Sequence, residues 1–329
     1  MRGLGWAKCP GTCGEWIQGA KDGIPFLVGC PINRFVETKA EILFSEPTYK
    51  RNYAHQQELQ NWIWELPEGK EKTRQALERF ARSQNLPSLT GKLRMKSQLL
   101  VGKGMASSTA DMTAAVSAVA YALAIPWEPE EQARLALAIE PSDPIMFPGV
   151  TELAHGDGRY IKSLGSKIPA QLLMLDGGGF LDTLAFNARR DLPGHYRKYE
   201  LMIRNALALF YEGMDQRDLE KIARASTISA QCNQDINPKP FFEDFLSWIL
   251  GRGGLGVIAA HSGTLLAGIF PAHLSTTEKR NLQRESHIQF RPGRVEWVET
   301  FDGGIEGGVM NAWRKPIGSL STVWKTELY

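Results

Sequence analysis

The stretch that most constrains this chain is Leu100-Val101-Gly102-Lys103-Gly104-Met105-Ala106-Ser107-Ser108-Thr109-Ala110. Residues Leu93 to Val101 predict a strand, and the small-residue run from Ser107 to Ala124 predicts a helix. Two glycines and three hydroxyl side chains mark the junction. Such a junction suits a polyphosphate. Glycines let the backbone approach an anion closely, the free amides of a helix N-terminus point at it, and the macrodipole favours negative charge there. Ser107, Ser108 and Thr109 add hydroxyls able to bond phosphate or ligate Mg2+. Lys103 adds a charge, either as a phosphate contact or as a solvated loop lysine. The spacing is neither that of a Walker A loop, where lysine directly precedes Ser/Thr, nor that of a dinucleotide fingerprint. The loop alone also leaves open a tight turn with a small-residue packing face.

The rest of the chain reads as mixed α and β. Phe26–Cys30, Phe35–Phe44, Ala170–Leu175, Leu255–Ala260 and Thr264–Phe270 carry strand composition between Gly/Pro breaks. Lys70–Ser83, Tyr196–Glu212, Asp215–Asn233 and Phe241–Leu250 read as helices. Glu128-Pro129-Glu130-Glu131 starts another helix, expected to run to Glu140 because Pro141 cannot continue it. His155-Gly156-Asp157-Gly158 reads as a turn between two strands. A length of 329 residues suits two domains, and we place the division near Ser166, giving 1–165 and 166–329.

With 38 basic and 36 acidic side chains the net charge is +2, which gives no electrostatic reason to expect nucleic acid or a membrane as partner. No apolar run reaches the roughly 20 residues of a membrane helix, and the first residues lack a signal-peptide pattern. The expectation is a soluble cytoplasmic protein. Cys9, Cys13, Cys30 and Cys232 make no zinc pattern and read as buried thiols.

Gly-x-Gly-apolar-small-Ser-Ser-x-Ala at 102–110 resembles the second motif of the GHMP kinases. It departs from the family's pattern at Leu100, where proline is usual, and at Met105-Ala106, where Leu-Gly is usual. Cys9-Pro10-Gly11-Thr12-Cys13-Gly14-Glu15-Trp16-Ile17-Gln18-Gly19 stands where the family's first motif belongs, with Thr12 in place of a basic residue. Ala259-Ala260-His261-Ser262-Gly263-Thr264 stands in place of the glycine-rich third motif. These departures, with Glu140-Pro141-Ser142-Asp143, the run Ser229–Gln234 and Pro238-Lys239-Pro240, resemble the L-threonine kinase branch. The likeness extends in short blocks from residue 9 to about residue 268.

The resemblance implies an α+β GHMP kinase fold, with an N-terminal domain like ribosomal protein S5 domain 2 and a ferredoxin-like C-terminal domain. It implies ATP and Mg2+ as cofactors and a small-molecule acceptor, L-threonine, whose phosphorylated product feeds the aminopropanol arm of cobalamin. Gly102, Lys103, Gly104, Met105, Ala106, Ser107, Ser108 and Thr109 would hold the nucleotide. Ser108 and Glu140 would hold the metal. Asp143 would serve as base, with a turn-closing role before Pro144 as the alternative. Glu15, Asn233, His261 and Ser262 would meet the acceptor. Asp182-Thr183 would face the substrate without any local feature that demands it, and Trp62 and Trp64 would pack in the core or on the surface, with adenine as the alternative. A homoserine-kinase-like or mevalonate-kinase-like activity, or a non-catalytic ligand sensor, are the other readings.

Overall fold

A computed structural model of the chain describes residues 2–44, 61–181 and 183–310. Along the chain come β1 (Arg2–Gly11), β2 (Ile17–Lys21), β3 (Ile24–Gly29), β4 (Ile32–Phe44), β5 (Trp62–Glu65), α1 (Glu71–Ser83), β6 (Leu89–Ser97), α2 (Ser107–Ala122) and α3 (Pro129–Leu137). Then follow β7 (Val150–Leu153), β8 (Ile161–Gly165), β9 (Ala170–Asp176), α4 (Thr183–Asn187), α5 (Leu192–Gln216), α6 (Leu219–Asn233) and α7 (Phe242–Leu250). The last elements are β10 (Gly256–Ala259), β11 (Leu265–Pro271), α8 (Thr276–Phe290), β12 (Arg294–Glu299) and β13 (Glu306–Val309). Among the described residues they form three sheets, ordered β13-β1-β4-β6-β5, β10-β11-β9-β12 and β2-β3-β7-β8.

Helix α2 sets the position of the glycine loop. Its residues Thr109 to Ala120 are all buried, and the alanines among them let it lie close on the first sheet. Gly3 and Gly5 of β1 make that approach possible: a Cβ at Gly3 would stand 2.3 Å from the Ala122 carbonyl oxygen, and one at Gly5 2.2 Å from that of Ala118. Helix α1 packs beside α2 through Thr73, Ala76, Leu77, Phe80 and Ala81, the 3–4 residue spacing of an amphipathic helix.

Several element boundaries differ from the sequence expectation: α5 is longer at both ends than the expected Tyr196–Glu212, and α6 starts at Leu219 and not Asp215. The strand expected at Leu93–Val101 runs instead from Leu89 to Ser97. Gly91 is inside it, and the Trp64 ring packs so closely there that a Cβ would stand 2.3 Å from it. Leu99 then leaves the sheet and turns its side chain into the core. The helix expected to reach Glu140 ends at Leu137, and a turn carries Ala138 to Glu140.

Residue 166 lies between β8 and β9. A single hydrophobic core extends from Cys9, Trp16 and Phe26 before it to Phe210 and Ile258 after it. Strand β13 returns to pair with β1. Among the described residues no helix is long and apolar enough to cross a membrane. All four cysteines are free and buried, and burial pushes the Cys9 thiol up to about 12. Trp64 is buried and Trp62 half-buried, both in the core between α1 and the first sheet. Asp182 and the Thr183 side chain lie outside the described residues.

Candidate active site

Three separated sequence blocks meet at the glycine loop. From the first block, the Thr12 amide donates to the Met105 carbonyl at 3.2 Å and the Gly14 amide to Gly104 at 2.9 Å. From the 259–264 block, the Thr264 amide donates to the Lys103 carbonyl at 3.1 Å, as does Leu265 just beyond it. Glycine is required where they touch. Gly104 sits at φ +94°, and its Cβ would be 2.2 Å from that of Ala260. At Gly263 a Cβ would fall 2.2 Å from the Lys103 carbonyl oxygen. Ala106 enters α2 from the left-handed region, and no side chain caps the helix. The orphan amides of its first turn therefore border a cleft lined by Gly102, Gly104 and Ser107–Thr109 on one side and by Glu15, Glu140, Asp143 and Ser262 on the other.

Within the cleft the Ser108 hydroxyl donates to Oε1 of Glu140. The other oxygen, Oε2, accepts from Lys72 Nζ at 2.6 Å. Lys72 comes from the first turn of α1, and Glu140 is only 4% exposed. Nearby, Lys70 bonds Asp111 of α2 at 2.5 Å, which ties the start of α1 to α2. Burial raises the Asp111 carboxyl above its ordinary value, with Lys70 opposing the rise.

Behind this triad lies a group of buried ionisable side chains. Asp143 is pushed up from 3.8 to about 7, first by burial and then by the Glu140 charge, and its Oδ1 has no hydrogen-bond partner. Glu15 is also raised, by burial and then by Asp143, while its Oε2 accepts the His261 amide at 2.7 Å. Burial drives His261 well below its usual range and His155 down to about 4, so both imidazoles are neutral. His155 Nε2 and His261 Nδ1 lack partners. Lys239 is buried too, which lowers its ammonium to about 7 despite the Glu15 charge. It bonds Asn233 Oδ1 at 3.2 Å and the Asn237 carbonyl at 2.9 Å. Asn233 and Asn237 in turn donate to the His261 carbonyl, and Asn237 also to that of Gly263.

Comparison with known proteins agrees with this geometry. Residues 71–147 match the profile of the GHMP kinases N-terminal domain. That segment spans α1, the glycine loop, α2 and the Glu140–Asp143 turn. The chain carries a GHMP kinase N-terminal domain within a GHMP kinase fold. It is 28% identical over 273 residues to the L-threonine kinase of Salmonella typhimurium, a match covering 79% of this chain and 81% of that protein. Its fold is similar to that of the homoserine kinase from Cytophaga hutchinsonii (TM-score 0.66, 14% identity, 93% of this chain and 97% of the other). It is similar as well to a structure described as MDDEF in complex with MVAPP, AMPPCP and magnesium (TM-score 0.66, 12% identity, 94% of this chain and 100% of the other). The α+β GHMP kinase fold accommodates the three sheets and eight helices seen among the described residues.

Most of the residues picked from the sequence come together. Glu15, Gly102, Gly104, Met105, Ala106, Ser107, Ser108, Thr109, Glu140, Asp143 and Ser262 border one cleft. Lys103 turns the other way. Its ammonium bonds Asp176 at 2.9 Å and the Gly179 carbonyl at 2.5 Å. Burial raises the Asp176 carboxyl, but the bonds from Lys103, Thr264 and the Gly178 amide outweigh it and hold the group below its ordinary value. Lys103 therefore anchors the loop to the end of β9. Asn233 is buried and supports the His261 turn, and the His261 ring stacks on Tyr196 with centroids 6.1 Å apart. Sequence reasoning missed Lys72, Lys239, His155 and the exposed Phe180, whose ring covers Gly102. Only the Pro238-Lys239-Pro240 run carried any signal, because the contacts of the other three are long-range.

Proposed function

We propose that this chain is an ATP-dependent kinase that phosphorylates the side-chain hydroxyl of L-threonine, giving O-phospho-L-threonine and ADP, for the aminopropanol arm of cobalamin. One observation carries the reading: a hydroxyl, a carboxylate and a second carboxyl with an unpartnered buried oxygen face one cleft at an uncapped helix N-terminus. The named L-threonine kinase relative supplies the choice of acceptor.

The residues present fit the implied groups. Free amides at a helix start and glycines that admit close backbone approach suit a nucleotide's phosphates, here at Gly102–Thr109. A hydroxyl and a carboxylate, Ser108 and Glu140, form an all-oxygen donor set suited to Mg2+, which binds through few protein ligands and keeps phosphate and water oxygens. When bound, Mg2+ neutralises charge on the phosphoryl group in transfer. Asp143, with its pKa near neutrality, accepts the proton of the acceptor hydroxyl as the new bond forms. Glu15, with His261 and Ser262 beside it, faces the acceptor's polar end, and Asn233 acts through the His261 turn.

The test is ADP release with Mg2+ and ATP against L-threonine, L-serine, L-homoserine and mevalonate, with the product identified by mass spectrometry. Threonine-dependent turnover to phosphothreonine is expected. Serine should trail by the modest ~1–3 kcal/mol that one methyl group provides. Preferred turnover of homoserine or mevalonate would replace the acceptor, and nucleotide binding without turnover of any of the four would favour a sensor.

A further inference from the structure

Both carboxylate oxygens of Glu140 are engaged. Ser108 occupies one carboxylate oxygen and Lys72 the other. Among the residues that line this cleft, Lys72 is the sole cation, facing the carboxylates Glu15, Glu140 and Asp143. Its side chain is 34% exposed whereas that of Glu140 is 2% exposed, so the lysine reaches in from the solvent side while the carboxylate is fixed. A structural clamp for α1 already exists at its N-terminal end, in the Lys70–Asp111 pair, whose lysine is less exposed than Lys72. Lys72 is therefore free to serve another purpose. Lysine suits exchange between anions: it is a compact charge on a flexible four-carbon stem, with no fixed fork geometry.

We infer that Lys72 is an exchangeable counter-ion, holding Glu140 in the nucleotide-free protein and passing to the nucleotide's phosphates when a divalent ion takes Glu140. This rests on the metal-nucleotide reading of the cleft. An ammonium and a divalent cation on one carboxylate repel each other, so occupation of Glu140 by the metal releases Lys72 into the same cleft that borders the α2 amides. There a polyphosphate held at the α2 amides offers it a multiply charged anion within the same cleft. The exchange keeps the charge of the cleft balanced in both states. Lys72 thus competes with the bare metal ion and cooperates with the metal nucleotide.

The two effects have opposite signs, which a purely structural ion pair cannot produce. Isothermal titration of the full chain with Mn2+ alone, and separately with Mg2+ and a non-hydrolysable ATP analogue, reads both. In Lys72→Met, Mn2+ alone should bind about tenfold tighter and the metal nucleotide about tenfold weaker than in wild type, each a change of ~1.4 kcal/mol. Lys72→Arg, which keeps the charge, should restore the weak Mn2+ binding. If Lys72→Met weakens both ligands, or leaves Mn2+ binding unchanged, the exchange is wrong while the nucleotide site stands. If wild type itself fails to bind the metal nucleotide, both readings fall.

Discussion

Replacing Asp143 with asparagine should stabilise the protein while slowing its turnover severely. The carboxyl rises from an ordinary 3.8 to about 7 in the folded chain. At ~1.4 kcal/mol per pH unit, keeping it ionised costs the native state up to ~4 kcal/mol. Because Asp143 also raises Glu15 and the two carboxyls titrate together, only roughly 1–3 kcal/mol should be recovered on substitution. The sign follows from proton counting. Between the unfolded and folded pKa values the native state binds the extra proton, so wild type loses stability from this group as pH rises through about 4 to 7. Asparagine removes that loss. Denaturant unfolding of both proteins should therefore show almost no difference near about pH 4 and the full gain near about pH 8. Loss of a general base should lower kcat by roughly 10²–10⁴, with nucleotide affinity unchanged. A variant no more stable at the higher pH than at the lower, or one that keeps near-wild-type turnover, would refute the reasoning.

Three further outcomes follow from the geometry. Ser108→Ala removes the hydroxyl bonded to Glu140 and should raise the Mg2+ concentration needed for half-maximal ADP release by about 10–100-fold. Gly263→Ala places a Cβ 2.2 Å from the Lys103 carbonyl oxygen, against backbone that cannot swing away. It should cost roughly 1–3 kcal/mol in thermal unfolding and raise KM for ATP. Lys103→Met breaks a largely enclosed pair with Asp176 and should cost roughly 1–3 kcal/mol, with nucleotide affinity falling because the loop loosens. An unchanged melting temperature in Lys103→Met would contradict its anchoring role.

What the sequence disclosed depended on whether the signal was local. The glycine loop and α2 were legible because their glycines and hydroxyls have a meaning within ten residues. Helix α1 was legible from its buried 73–76–77–80–81 stripe. Helix α8 escaped notice, although Ser275 and Glu278 form a capping box, because just two of its residues are buried and the apolar period is faint. Strands β1, β12 and β13 also went unread, since β1 is interrupted by glycines that serve α2 and the other two are short. In the site, the grouping of Ser108, Glu140 and Asp143 came from family likeness. The cations beside the cleft's carboxylates are distant in sequence: Lys72 lies 68 residues from its partner Glu140, and Lys239, whose charge acts on Glu15, sits in a separate helix-end turn. The direction of Lys103 was not legible either, because its partner Asp176 is 73 residues away.

The pairing of β13 with β1 has a consequence for how the protein is made. Val309 to Glu306 lie against Gly5 to Lys8, and β1 leads directly to Thr12 and Gly14, which hold the glycine loop. A nascent chain emerging from the ribosome thus carries β1 as an open edge until nearly all the described residues have been synthesised. Bare edges of this kind recruit other strands, and such late, long-range closure is slow. A chain terminated before residue 306 would keep every residue named in the cleft and still expose that edge, so its defect would be aggregation during synthesis and not faulty chemistry.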